Sequence, residues 1–178
     1  AAELIGWDTP LPEGHGRGVA LGLKSGPTTG LSYSTVRLLA DGSAILFSGT
    51  SDMGQGARTV FSQIVAQEMG IPLENVNVIM GDTATVPYDQ QTSASRSTVL
   101  MGTSVYRACK DIHGKVKAMA AKVHDVDESE VEVDGGVVRM AGEDLPIMDV
   151  VTAGLGPLGG EVIGNGEMRK DKVPGHPL

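Results

Sequence analysis

The residues from Met101 to Val123 form the feature that most limits what this chain can fold into. Met101, Val105, Cys109, Ile112, Val116, Met119 and Val123 recur at steps of three and four, with charged and polar residues between them. That spacing predicts a long helix with a single apolar stripe, which must be covered by another element. A second, shorter pattern of the same kind runs from Ala57 to Met69 through Val60, Phe61, Ile64 and Val65, and Gly70 and Pro72 end it. Around these two helices the sequence reads as strands. Ser34 to Leu39 and Ala44 to Phe47 flank Ala40-Asp41-Gly42-Ser43, where Asp-Gly supplies the backbone freedom a tight hairpin needs. Val19 to Lys24 and Asn75 to Met80 read as single strands, Glu130 to Val133 and Val137 to Met140 as a second hairpin, and Ile147 to Ala153 as a short helix.

Hairpins with helices laid between them predict an α+β fold, a two-layer domain of hairpin-connected mixed or antiparallel sheet packed with two main helices. Residues 1–15 form a lead segment, 16–153 the domain, and 154–178, rich in Gly, Pro and charge, a linker toward a C-terminal part that is missing. With only two Phe, three Tyr and one Trp among 178 residues, the core must be built from Val, Ile, Leu, Met and Ala. A formal charge of −8 argues against a nucleic-acid-binding surface. No apolar run approaches the roughly 18 residues of a membrane span, so no membrane partner is expected, and no leader pattern opens the chain. A lone cysteine excludes an internal disulfide and fits a cytoplasmic location.

Each of the two main predicted helices is preceded by a loop of small residues. The first is Asp52-Met53-Gly54-Gln55-Gly56. The second is Gln91-Thr92-Ser93-Ala94-Ser95-Arg96-Ser97-Thr98. A helix start offers unpaired N–H groups and the positive end of the helix dipole, so small side chains there suit a phosphate-bearing cofactor. Gly54 and Gly56 permit close backbone approach, and the Gln55 amide both donates and accepts. The hydroxyls of Thr92, Ser93, Ser95, Ser97 and Thr98 could wrap a diphosphate without a lysine. Plainer readings stand beside these: a strand-to-helix turn for the first loop, with Asp52 as a helix-entry residue, and an N-cap region for the second. Arg96 could meet a phosphate or pair with Asp82 or Asp89. Met53 packs against a ligand or fills the core. Cys109, on the helix stripe, reads as a buried thiol rather than a nucleophile, and the four histidines show no zinc spacing, so neither a catalytic residue nor a protein metal ligand is assigned.

From Asp41 to Ala108 the landmarks Met53-Gly54-Gln55-Gly56, Gly70-Ile71-Pro72, Gly81-Asp82-Thr83 and Thr92 to Thr98 occur in order. In this the chain resembles the molybdenum-cofactor-binding large subunit of the xanthine dehydrogenase and aldehyde oxidase family of molybdenum hydroxylases. The resemblance implies that Met53, Gly54, Gln55 and Gly56 bind the pterin. It further implies that Ala94 crowds the metal, and that Thr92, Ser93, Ser95, Ser97 and Thr98 anchor the pterin or its extension. The implied cofactor is molybdopterin, free or as its cytosine dinucleotide, carrying molybdenum. Iron–sulfur clusters and FAD would sit on partner domains or subunits, beside the remainder of the molybdenum subunit and a small-molecule substrate. The implied reaction is water-dependent oxidation of an aldehyde, purine or N-heteroaromatic carbon, with the isolated chain inactive. Gly164-Asn165-Gly166-Glu167 imitates the family's Gly-x-Gly-Glu base motif, but its place before a charged tail assigns it to the linker. The rival readings are a non-catalytic scaffold or subunit-interaction module without cofactor, and an unrelated phosphate-binding domain. The second is weakened by the lack of a dinucleotide fingerprint or phosphate-loop lysine.

Overall fold

A computed structural model describes residues 2–22 and 29–170. Strands β1 (Gly30–Leu39) and β2 (Ala44–Ser48) form the expected antiparallel hairpin, with Gly42 at φ 83° in its turn. The Asp41 carboxylate accepts from the Ser43 amide at 2.9 Å and so closes that turn. Helix α1 (Ala57–Met69) then carries the chain back so that β3 (Val76–Met80) lies parallel to β2. Helix α2 (Gly102–His124) follows, and beyond it come β4 (Glu132–Asp134), β5 (Val137–Met140), β6 (Glu143–Pro146), α3 (Ile147–Leu155) and β7 (Glu161–Lys170). The main sheet has the order β3-β2-β1-β7, and a small antiparallel sheet has the order β4-β5-β6. The fold is α+β, with α1 and α2 packed on the main sheet.

Alternation along the strands sets which face is covered. Val36 and Leu38 on β1, Ala44 and Leu46 on β2 and Val162 on β7 are buried, while their sequence neighbours are more exposed. Against them pack Phe61, Val65 and Met69 of α1 and Val105, Ile112 and Val116 of α2. The predicted stripe is buried through Val116; toward the helix end Met119 is half-buried and Val123 is 43% exposed. Val138, Met140, Val150 and Val151 extend the same core into the small sheet and α3.

Two expectations are corrected. The first is the linker from Gly154, of which residues 171–178 lie outside the described residues. Glu161–Lys170 is a ten-residue strand paired with β1 along its whole length, from Gly30↔Lys170 to Leu39↔Glu161. Its glycines are the reason it does not read as a strand and also the reason it fits. A Cβ at Gly164 would lie 2.1 Å from the Ala108 carbonyl oxygen, and one at Gly166 would lie 1.9 Å from that of Ser104. The strand therefore touches the α2 backbone directly. Its outer edge is covered by α2 side chains. Arg107 Nη1 donates to Glu167 O at 2.7 Å, Asp111 accepts from Asn165 N at 2.9 Å, and Lys115 Nζ donates to Ile163 O at 2.6 Å. Glu167 is thus mid-strand, beside Arg169 at 3.3 Å. The second correction concerns Val19 to Lys24: residues 19–22 have no regular structure, and Leu23 and Lys24 lie outside the described residues.

One polar cluster, buried at His113 and open to solvent at Asp134, joins α1, α2 and the small sheet. His113, 4% exposed, donates from Nε2 to the Glu68 carbonyl at 2.8 Å. Lys110 Nζ stands 3.4 Å from His113 Nδ1 and 3.0 Å from both the Glu68 and the Asp134 carboxylates. Burial, more than any neighbour, pushes the His113 pKa below its ordinary 6.5. Burial likewise drives the Cys109 thiol up to about 12, which leaves it protonated and inert.

Two outcomes are expected. Gly166→Ala should cost about 3 kcal/mol in urea unfolding, because the methyl collides with backbone rather than with a movable side chain. An unchanged midpoint would show that the α2–β7 contact is looser. For His113, the unfolded chain takes up a proton that the folded chain resists, so its contribution is intact above pH 6.5 and declines as pH drops from 6.5 toward the lower folded value. His113→Gln, compared with the parent by urea midpoints across that window, should lose this part of the acid sensitivity.

Candidate functional site

Both glycine- and serine-rich loops leave the main sheet at one end, and a buried network fixes how they leave. Past the end of β2, Gly49 lets residues 87–89 come close: a Cβ there would lie 2.6 Å from the Pro87 carbonyl oxygen and 2.9 Å from the Asp89 amide nitrogen. That segment runs beside β1, with Tyr33 N donating to Tyr88 O at 3.1 Å. It delivers Asp89 to the interior, its side chain 3% exposed. Asp89 Oδ1 accepts from Ser32 Oγ at 2.6 Å, and Oδ2 accepts from Thr50 Oγ1 at 2.6 Å. The Arg96 guanidinium, with its side chain 4% exposed, lies 3.4 Å from Oδ1. Arg96 also donates to Leu31 O at 2.9 Å, to Gln91 O at 3.0 Å, to Ser32 Oγ at 3.2 Å and to Gln90 O. Of the pairings open to Arg96, the structure selects Asp89.

The first loop is held largely by its own side chains. Asp52 accepts from Gly54 N at 3.0 Å and from Arg58 N, in the first turn of α1, at 3.1 Å. The Arg58 amide, then that of Gly54, hold its carboxyl below the usual carboxylate range. Asp52 is therefore the helix-entry residue, and its charge occupies the start of α1. Gln55 bridges the loop, accepting from Met53 N at 2.7 Å and donating to Ser51 O at 2.8 Å. Gly54 and Gly56 adopt φ of 99° and 77°, and a Cβ on either would point into open space. Met53 is 70% exposed, which excludes core filling.

In the second loop Ala94 and Ser95 both have positive φ, 50° and 55°, and Arg96 N donates to Ser93 O at 3.1 Å. This is a tight turn of the kind usually made with glycine or asparagine. A π-helical stretch, Ser97–Met101, follows and leads into α2. Such stretches concentrate at functional sites. Thr92 Oγ1 reaches across to Ser51 O at 3.4 Å and joins the two loops.

Between them lies an open cleft of about 370 Å³. Of the residues singled out from the sequence, Met53, Gln55, Thr92, Ser93, Ala94, Ser95, Ser97 and Thr98 line it, together with Arg96; Gly54 and Gly56 are not among its lining residues. A second cleft of about 440 Å³ lies along Gly49, Ser51, Gly81, Thr83 and Tyr88. The cations near the first cleft are committed elsewhere, Arg96 to Asp89 and Arg58 to the Val78 carbonyl. An anion in it would meet amides and hydroxyls. Among the described residues no group of three or more His, Cys, Asp or Glu side chains could hold a metal ion. Sequence reasoning missed Asp89 as the hub of the buried network at the roots of both loops, naming it only as one of two acids that Arg96 could reach; Asp89 lines the second cleft and not the first.

A family model described as the molybdopterin cofactor-binding domain matches residues 9–173. The chain belongs to this family. Within it, the domain is 38% identical over 109 residues to the carbon monoxide dehydrogenase large chain of Hydrogenophaga pseudoflava, covering 61% of this chain and 14% of that protein. It is 30% identical over 172 residues to the probable hypoxanthine oxidase XdhD of Escherichia coli K12, covering 92% of this chain and 18% of that protein. Among solved structures, the reconstituted CO dehydrogenase from Oligotropha carboxidovorans superposes with a TM-score of 0.67 at 29% identity, over 80% of this chain and 18% of that one. This molybdopterin cofactor-binding domain thus spans less than a fifth of the length of these relatives. The resemblance to molybdenum hydroxylases drawn from the four landmarks is borne out.

Two adjacent L-residues in the left-handed region store strain that glycine would relieve. Ser95→Gly should therefore raise stability by about 0.5–1 kcal/mol, a gain of roughly 2–3 °C in Tm. A lower Tm, read by differential scanning calorimetry, would show that the Ser95 side chain holds the turn.

Proposed function

We propose that the cleft between the two loops seats the molybdenum end of molybdopterin, and that the domain serves as one wall of the cofactor site in a molybdenum-dependent oxidoreductase. The observation that carries this reading is the convergence of Gln55, Ala94 and the hydroxyls of the second loop on one cleft, although they lie on loops separated by α1 and β3. The donor set suits the group. The second-loop hydroxyls and the amides at the start of the helix beyond them can receive a phosphate arm without a free cation, while Asp52 takes up the start of α1; the backbone at Gly54 and Gly56, next in sequence to the lining Met53 and Gln55, faces open space. When bound, the cofactor supplies two-electron oxidation with water as the oxygen source.

The protein's part is binding and exclusion of water. Gln55 presents its amide from a position fixed by Ser51 and Met53, so its orientation is set before a ligand arrives. Met53 and the Ala94 methyl give the cleft its apolar lining, and Thr92, Ser93, Ser95, Ser97 and Thr98 give it polar donors and acceptors. No described residue is offered as the catalytic base. Glu167 lies on β7 and does not line the cleft.

The relatives are named for carbon monoxide, hypoxanthine and nicotine. One domain shared by proteins of such different substrates supplies the part they have in common, and substrate-selecting side chains belong to other segments. For this chain the reading is oxidation of a small molecule, an aldehyde, purine or N-heteroaromatic carbon, in an assembly with the rest of a molybdenum subunit and with iron–sulfur and flavin partners. Molybdopterin cytosine dinucleotide is an extended form that the hydroxyl-rich loop would accommodate.

The test is bulk at Ala94 without added backbone strain. Asn tolerates positive φ where Val does not, so Ala94→Asn in the full-length protein should leave the Tm within a few degrees. Molybdenum and released pterin should fall sharply, or turnover by about a hundredfold at retained occupancy. Parent-like metal content and turnover would take Ala94 and its cleft out of the cofactor site.

A further inference from the structure

The Ala94–Ser95 turn is unfavourable for both residues and persists only if its surroundings hold it. Its C-terminal neighbour is Arg96, which lines the cleft while its guanidinium is buried in the Asp89 network. One N–H of that guanidinium, Nε, is buried with no acceptor, a cost that a residue placed for stability alone would avoid. The other end of the same network is Thr50, the second residue before Asp52 and the root of the first loop. Ser32, on β1, bonds both acid and base and ties them to the sheet. One carboxylate therefore joins the roots of both cleft walls, and among the described residues the walls share one long hydrogen bond, Thr92 to Ser51.

We infer that Asp89 is a positioning residue: through Thr50 on one side and Arg96 on the other it sets the spacing of the two loops and holds Ala94 and Ser95 in the left-handed conformation that faces the cleft. The role does not require Asp89 to touch a ligand, and its side chain is 3% exposed. Thr50 and Arg96 are its two arms. Loosening either arm frees the carboxylate to shift and thereby relaxes the opposite loop. That this spacing serves molybdopterin rests on the function proposed above; the coupling of the loops does not.

The experiment uses the full-length protein and acts on the arm farthest from the strained turn. Asp89→Asn leaves a buried guanidinium without its counter-ion and endangers folding, so the informative pair is Thr50→Val, which keeps shape and loses the hydroxyl, and Thr50→Ser, which restores it. Amide hydrogen exchange followed by mass spectrometry should show residues 51–56 and also residues 92–98 exchanging about tenfold faster in Thr50→Val, the size expected for one lost hydrogen bond to a charged group. Thr50→Ser should return both to the parent rate, and the α2 core, residues 105–120, should not change. Molybdopterin should leave the Thr50→Val protein about tenfold faster. Acceleration confined to the first loop would overturn the inference, as would a Thr50→Ser protein no better than Thr50→Val, or an equal acceleration of α2. Coupled loosening of both loops with parent-like molybdopterin release would uphold the coupling and count against the cofactor reading instead.

Discussion

The structure depends on how closely α2 approaches the main sheet. Helix and strand meet backbone to backbone at Gly164 and Gly166, against the carbonyls of Ala108 and Ser104. The Ser104 hydroxyl completes the contact by donating to Gly166 O at 2.9 Å and pairing with Ser34 Oγ, also at 2.9 Å. Any side chain on the inner face of β7 at those positions would push the helix outward. Because α2 begins directly beyond the second loop, its depth against the sheet also decides where Thr92 to Thr98 stand relative to Asp52 to Gly56. Packing in the core and placement of the cleft are in this sense one constraint.

Polar groups complete what the close approach begins. The outer edge of β7 is met by Arg107, Asp111 and Lys115, spaced so that one face of α2 presents all three. On another face of the same helix, Lys110 and His113 reach Glu68 of α1 and Asp134 of the small sheet. Ahead of its first turn, Arg96 and Asp89 tie the loops to β1. Each cluster joins elements distant in sequence, and each is buried or edge-protected enough to set geometry.

Much of the fold was legible in the residues. Helical periodicity located α1 and α2 because burial on one side leaves a repeat of about 3.6 residues. Asp-Gly located the first hairpin because few residue pairs accept its turn. The loops could be singled out because small residues before a helix leave its N–H groups accessible, and most of the chosen residues, Gln55 and Ala94 among them, line one cleft. Where the reading failed, the cause is equally physical. β7 has glycine at two inward positions, so the apolar alternation that marks a strand is absent even though the strand is central to the packing. β6 was not foreseen, since Glu143-Asp144-Leu145-Pro146 has neither β-branched nor aromatic residues and pairs only because a turn at Ala141-Gly142 returns it to β5.

The amino-acid order by itself determined which segments would be helical, where the first hairpin turns, and which small residues would crowd the starts of two helices, because these follow from local sterics and short-range periodicity. It also carried the family likeness, through landmarks that can be read in a line. It did not determine which acid Arg96 would meet, or that Thr50, Asp89 and Ser32 would share one buried site. Those partners lie as far apart as 64 residues in the chain, and they come together only when the segment from Pro87 to Asp89 lies against β1 beside a glycine with no side chain to keep it away. That choice belongs to the tertiary structure, since burial removes the water that would otherwise satisfy each of these groups separately.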